Sequence, residues 1–116
     1  MIDVLIGSEA LSRYIPGVDA GDVDYFSSER HNTVLNDGRR LEVFYHPDLE
    51  KYVWSGSVAS LDELYTIKVS HAFWDVRWEK HMSHILLMQS HGAEVIDELY
   101  AVLYGVWEQV HGPKKV

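Results

Sequence analysis

The hydrophobic pattern of this chain changes its period near Ser60, which divides the sequence into two halves with different secondary structure. Before Ser60, the apolar residues form short β-branched and aromatic runs that are typical of strands. After Ser60, they recur every three or four residues, as on one face of a helix. The length of 116 residues suits one domain. We therefore predict a single α+β domain, in which a small mixed β-sheet from residues 1–58 packs against α-helices from residues 59–116.

The first half contains the strand and turn signals of a small sheet. Apolar runs, alternating or continuous, predict strands at about 2–6, 22–27 and 40–46. A short helix is predicted over Glu9–Ile15, with Ser8 as its N-cap. Asp37-Gly38 is a turn signal before the third strand. The expected order is therefore strand, helix, strand, turn and strand.

The second half carries the signals of helices. Ser60-Leu61-Asp62-Glu63 is a capping box, and the helical pattern that it begins runs to about Gln89, with a break near 69–72. After a second break at 90–92, six aliphatic residues fall on one helical stripe: Val95, Leu99, Val102, Leu103, Val106 and Val110. This stripe predicts a face that is buried within the chain or, where it is exposed, a homo-oligomer interface through the 93–110 helix.

Composition and charge exclude several classes of protein. The chain has no cysteine, so it forms neither disulfides nor a thiolate zinc site. Ten Lys and Arg against 18 Asp and Glu give a formal net charge of −8, which argues against a nucleic-acid surface but not against a mononucleotide. An acid at position 3 and the lack of a long apolar run argue against a signal peptide and a membrane span. We therefore expect a cytoplasmic protein.

Three carboxylates of the first half are candidates for a metal site. Because side chains alternate along a strand, Asp22 and Asp24 share one face of the second predicted strand. Glu42, which has apolar neighbours in the third strand, points away from the core and can join them across about 4.8 Å. Two charges about 4 Å apart repel by roughly 4 kcal/mol at an effective dielectric of about 20, so such a group keeps a proton or holds a cation. Oxygen ligands of this kind suit Mg²⁺.

The order of the motifs carries more information than any one of them. Gly7-Ser8 follows the first predicted strand, and its backbone N–H groups can hold a phosphate at a helix start. Asp22-Val23-Asp24 lies on the second strand and Leu41-Glu42-Val43 on the third. This order resembles the nucleotidyltransferase superfamily, which has the polymerase-β-like fold. The segment Leu64–His71, with Trp74 and Lys80-His81, is similar to the helical half of small nucleotidyltransferase-like proteins of phages, so that the resemblance covers about residues 2–90.

The resemblance implies an enzyme that transfers a nucleotidyl group from a nucleoside triphosphate to an acceptor with the help of Mg²⁺. It implies that Asp22, Asp24 and Glu42 bind the metal and carry the catalysis, and that Gly7 and Ser8 cradle the phosphates. It further implies three residues of the helical half that contact the triphosphate: Lys68, His71 and Lys80. For a phage protein, the expected location is the cytoplasm of the host.

A second function fits the same scaffold. A short acidic domain with this fold can be a non-catalytic protein-interaction or inhibitor module that binds a partner protein. In that case Asp22 and Asp24 form an ordinary solvated strand face, and the helical lysines cover apolar surface with their alkyl stems.

The histidines and tryptophans of the second half each have two interpretations. His81, His84 and His91 can lie on one helical face and hold a metal, although scattered histidines are the commoner case. Trp74 and Trp78, four residues apart, fit core packing better than a base-stacking platform. Asp75 can orient the ring of His71, but no nucleophile is evident for such a pair.

Overall fold

The computed structural model describes residues 2–19, 21–28, 41–72, 74 and 78–112, with the backbone alone for 78–81. The chain divides into two compact units, Met1–Ser60 and Leu61–Val116. The strands lie in the first unit and the three longest helices in the second. The predicted α+β class, with a sheet in the first half and helices in the second, is confirmed, and the division falls where the hydrophobic period changes.

The sheet of the first unit has three strands in the order β1-β2-β3. The strands are β1 (Asp3–Ile6), β2 (Val23–Ser27) and β3 (Leu41–Tyr45). β1 runs antiparallel to β2, and β2 runs parallel to β3, so the sheet is mixed as expected. Each strand lies within one residue of its predicted bounds. The Asp37-Gly38 turn that was predicted between β2 and β3 lies outside the described residues.

The core of the first unit includes both faces of the central strand, because Val23, Phe26 and Ser27 of β2 are all buried. Phe26 of β2 is almost fully buried, and the rings of Phe44 and Trp54 pack on it with centroid distances of 5.6 and 5.9 Å. Edge-to-face packing at this range adds to the free energy gained by burying the rings. The aromatic residues that favoured strands in the sequence therefore also supply the core that holds the sheet.

The first helix begins earlier than the sequence predicts. α1 (Gly7–Leu11) follows β1 directly, and its N-cap is Ile6, which forms no side-chain capping bond. The prediction of Ser8 as the N-cap of a 9–15 helix is therefore wrong. The reason is the backbone of Gly7, whose φ of +71° turns the chain immediately after β1. Ser8 consequently lies inside the first helical turn.

A short 3₁₀ helix (Pro47–Lys51) follows β3 and was not predicted. Pro47 suits the first helical position because it has no backbone N–H to satisfy. The ring Nδ1 of His46 accepts a hydrogen bond from the backbone N–H of Asp48 at 3.1 Å. Leu49 is fully buried, and the indole N–H of Trp54 donates to its carbonyl at 2.9 Å. These bonds fix the segment that follows the sheet.

The second unit contains α2 (Leu61–Ala72), α3 (Trp78–Ser90) and α4 (Asp97–His111). The break that was predicted near 69–72 lies after Ala72 instead, and the break at 90–92 is confirmed. Side chains of α2 hold the segment that leads into α4. Asp62 accepts from the N–H of Glu94 at 3.0 Å, and Thr66 accepts from the N–H of Ile96 at 2.9 Å.

The aliphatic stripe of α4 is buried at its centre. Leu99, Leu103 and Val106 have no exposed surface, so their predicted burial is confirmed. Val102 is half-buried, and Val95 and Val110 at the two ends are exposed. Because the centre of the stripe is covered within the chain, it gives no support to a homo-oligomer through the 93–110 helix. None of the helices in the described part of the chain is long and apolar enough to cross a membrane.

Candidate functional site

Two of the predicted carboxylates are brought together at one end of the sheet. In the parallel register of β2 and β3, Asp24 lies directly opposite Glu42. Register partners on adjacent strands project from the same face, with their backbones about 4.8 Å apart. Both residues are half-buried. The predicted position of Glu42 beside Asp24 is confirmed. The prediction that Glu42 points away from the core is wrong, because it shares its face of β3 with Phe44, whose ring packs on the buried Phe26.

Gly7 lies next to Asp24 on the side of β1, opposite to the side of Glu42. The last residue of β1, Ile6, is the register partner of Asp24, so Gly7 begins its turn next to the aspartate. A Cβ atom on Gly7 would lie 2.6 Å from Oδ2 of Asp24 and 3.3 Å from its Cβ. The space that the Asp24 carboxylate occupies therefore exists because residue 7 has no side chain. The predicted Gly-Ser turn and the central aspartate are in direct contact.

The third predicted carboxylate, Asp22, lies outside the sheet. β2 begins at Val23, and Asp22 is an exposed residue in the bend before it. Because Asp22 lies outside the strand, the alternation of side chains does not determine where its carboxylate points relative to that of Asp24. Among the residues that the structure describes, no three His, Cys, Asp or Glu side chains lie close enough together to hold a metal ion. Within the described residues, two of the predicted carboxylates lie together, Asp24 and Glu42. A triad that includes Asp22 stays a prediction.

The pair of carboxylates has a defined chemical capacity. Asp24 and Glu42 supply oxygen atoms alone, which suit hard cations such as Mg²⁺ rather than zinc or copper. Gly7 lets the backbone of the β1–α1 turn come close to Oδ2 of Asp24. Mg²⁺ is commonly bound by one or two carboxylates together with the phosphates of a substrate. The two carboxylates are therefore oxygen donors of the type that Mg²⁺ uses, and substrate phosphates would have to supply further ligands.

The residues predicted to contact the triphosphate belong to the second unit. Lys68 is half-buried on α2, and the ring of His71 stacks on Trp107 with a centroid distance of 4.8 Å and an interplanar angle of 26°. Lys80 lies in α3, where the structure describes the backbone alone. Their placement towards the carboxylates of the first unit stays a prediction.

Trp74 takes part in ring packing inside the second unit. Its ring lies 5.6 Å from that of Tyr104 and 6.1 Å from that of His111, and it stacks on the latter at 15°. These contacts favour the packing interpretation of Trp74 over a base-stacking platform. Asp75 and the side chain of Trp78 lie outside the described part of the chain.

The histidine metal site receives no support from the described rings. His91 is exposed, and its Nδ1 lies 3.0 Å from the carbonyl of Leu87 and 3.2 Å from Oγ of Ser90. His84 is half-buried on α3. The side chain of His81 lies outside the described part, so the predicted grouping of the three rings is not settled.

One surface feature was missed by the sequence analysis. A groove of about 490 Å³ runs beside the start of β1 and is lined by Asp3, Glu50, Tyr52 and Trp54, among others. Its sequence signal is the alternation Tyr52-Val53-Trp54, which equally suits a strand. Asp3 is distant in sequence from Glu50, Tyr52 and Trp54, so no local pattern brings it to the other three.

Comparison with known proteins leaves the activity open. A family model described as "Domain of unknown function (DUF7275)" matches residues 63–116. The match covers most of the helical unit and less than half of the chain. No match was found among curated proteins or among solved structures. The carboxylate pair at Asp24 and Glu42 lies outside the matched residues.

Proposed function

We propose that the chain is a nucleotidyltransferase-like enzyme that binds the Mg²⁺ complex of a nucleoside triphosphate at Asp24 and Glu42 and transfers the nucleotidyl group to an acceptor. The observation that carries the proposal is the convergence of Gly7, Asp24 and Glu42 at one end of a mixed three-stranded sheet. The order of the elements supports it as well, because the Gly-Ser turn follows β1 and the acids lie on the two next strands.

Each residue of the proposed site has a proposed role. Asp24 and Glu42 supply oxygen ligands, and Asp22, just before β2, supplies a further carboxylate. Mg²⁺, when bound, neutralises charge on the triphosphate. Gly7 and Ser8 approach the phosphates with backbone N–H groups.

The proposed transfer balances with the groups of this site. An acceptor hydroxyl forms a bond to the α-phosphorus, the bond from that phosphorus to the bridging oxygen breaks, and pyrophosphate leaves. The hydroxyl proton passes to a carboxylate. Glu42 is the candidate base, because it lies on the outer strand β3. Asp24, which contacts Gly7, then serves to hold the metal complex in place.

A second proposal uses the same scaffold without catalysis. In the part of the chain that the structure describes, the acids form a pair and not a group of three, which favours an interaction or inhibitor module over an enzyme that needs three metal ligands. The proposed partner is then a protein. Both proposals place the chain in the cytoplasm, and binding of a nucleotide distinguishes them.

Replacing Asp24 separates function from stability. We expect the wild-type protein to bind a fluorescent nucleoside triphosphate with Mg²⁺ and much more weakly with EDTA. Asp24→Asn and Glu42→Gln should each weaken this binding by about tenfold to a hundredfold. The melting temperature should stay the same or rise, because one of two neighbouring like charges is removed. Fluorescence anisotropy and thermal unfolding measure the two effects.

Asp19→Asn is the matched control, because it removes the same charge from an exposed residue of the same unit. It should leave binding unchanged. Triphosphate binding that is insensitive to Mg²⁺, or equal in wild type and Asp24→Asn, would contradict the enzyme. The interaction module would then be the better account.

A further inference from the structure

The groove beside β1 arises from the way the chain returns to the sheet. After Trp54 the chain comes back to the outer edge of β1. There the N–H of Leu5 donates to the carbonyl of Ser57, and the carbonyl of Leu5 accepts from the N–H of Ala59, both at 2.9 Å. This is a parallel bridge of one residue, Leu5 with Val58. Ahead of the bridge, Ile2, Asp3 and Val4 line the groove together with Gly56 and Ser57. Its volume of about 490 Å³ lies in the range of small-molecule sites.

Two aromatic rings line the groove and meet at a right angle. The ring centroids of Tyr52 and Trp54 are 5.1 Å apart, and the ring planes cross at 88°. The indole is held in place, because its N–H donates to the carbonyl of Leu49 and the ring packs edge-on against the buried Phe26. A fixed ring loses little conformational entropy when a ligand binds. Because the two rings are perpendicular, a ligand beside them can contact the face of one ring and the edge of the other.

The charged residues that line the same groove are acidic. Asp3 lies on the side of β1, and Glu50 is exposed on the side of the 3₁₀ helix. The described residues that line the groove include no Lys, Arg or His. Aromatic faces and carboxylates both attract cations, and the ring faces also accept the apolar carbons attached to an ammonium group.

We propose that this groove binds a small organic cation of the alkylammonium class. The ammonium group lies between the carboxylates of Asp3 and Glu50, and the alkyl chain packs on the rings of Tyr52 and Trp54. The site is separate from the carboxylate pair, because Asp3 begins β1 whereas the register partner of Asp24 ends it, about 10 Å further along the strand. The inference therefore does not depend on the proposed transferase activity.

The test compares two probes of the same length and different charge. Putrescine carries two ammonium groups, and 1,4-butanediol replaces both of them with hydroxyls. In titrations followed by ¹H–¹⁵N correlation NMR, putrescine should shift the signals of the Trp54 indole N–H and the Tyr52 amide, and the shifts should saturate. Butanediol should not shift these signals. Glu50→Gln and Asp3→Asn should each weaken putrescine binding by about twofold to fivefold. Because Glu50 is exposed, its variant should fold like the wild type.

Two controls decide between a built site and general attraction to an acidic protein. Asp19→Asn removes an exposed charge outside the groove and should not change putrescine binding. Tyr52→Leu keeps apolar bulk but removes a ring, and it should weaken the binding. Shifts that fail to saturate, that appear equally at Asp97 and Glu98 of α4, or that butanediol reproduces would overturn the proposal.

Discussion

Replacing Gly7 by alanine is expected to lower the free energy of unfolding of the first unit by about 2 to 3 kcal/mol. The backbone accounts for about 1 to 2 kcal/mol of this, because a φ of +71° is unfavourable for any residue with a Cβ. The remainder comes from Asp24, whose Cβ and Cγ would each lie 3.3 Å from the new methyl group and whose Oδ2 would lie at 2.6 Å. The carboxylate has to turn away, so the variant should also lose the proposed Mg²⁺-nucleotide binding.

Two comparisons separate the backbone cost from the contact with Asp24. Gly17 also has a positive φ, +86°, but a Cβ placed there meets nothing within 4 Å. Gly17→Ala should therefore cost about 1 to 2 kcal/mol and leave nucleotide binding intact. In an Asp24→Ala background, Gly7→Ala should cost about as much as Gly17→Ala. Denaturant unfolding followed at the indole of Trp54, which is the tryptophan of the first 60 residues, measures these values. Equal costs for Gly7→Ala with and without Asp24 would show that the contact is absent.

Leu103→Ala should destabilise the helical unit by about 2 to 5 kcal/mol. Leu103 is fully buried in α4, and α4 packs against α2. Removing the side chain loses its burial and leaves a cavity in a well-packed core. The matched control is Leu86→Ala on α3, where the leucine is 55% exposed and the same change should cost less than about 0.5 kcal/mol.

The same pair of variants tests the oligomer that the sequence allowed. If the stripe of α4 lies inside one chain, the melting temperature of Leu103→Ala should not depend on protein concentration. Thermal unfolding at several concentrations, together with gel filtration, measures this. A loss of stability that is equal for the two leucines, or that disappears at high concentration, would contradict the burial of Leu103 within the chain.

The strands and helices that could be predicted from the sequence are those whose residue pattern lies within the element itself. β2 and β3 were predicted within one residue because both are rich in β-branched and aromatic residues. The central part of the α4 stripe was predicted because helical spacing brings Leu99, Leu103 and Val106 to one face. The position of Glu42 beside Asp24 was predicted in the same way, but its direction was not, because Glu42 shares its face of β3 with Phe44, whose ring packs on the buried Phe26.

Features that depend on contacts between distant residues could not be predicted. Ser8 has the chemistry of an N-cap, but the positive φ of Gly7 starts α1 two residues earlier than that chemistry suggests. Asp22 satisfies the acid-x-acid pattern, yet β2 begins after it. The groove beside β1 depends on the return of residues 57–59 to Leu5, which no local pattern encodes. Pairing across more than 50 positions is decided by packing and not by propensity.

The most direct test of the proposed function is to locate the metal. Mn²⁺ binds the same oxygen ligands as Mg²⁺ and broadens the NMR signals of nearby nuclei. With a non-hydrolysable nucleoside triphosphate present, a small amount of Mn²⁺ should broaden the amide signals of Gly7, Asp24 and Glu42 first, excess Mg²⁺ should restore them, and Asp24→Asn should abolish the effect. Broadening that begins at other acids such as Asp97 and Glu98 of α4, or that persists unchanged in Asp24→Asn, would contradict a metal–nucleotide site at the Asp24–Glu42 pair.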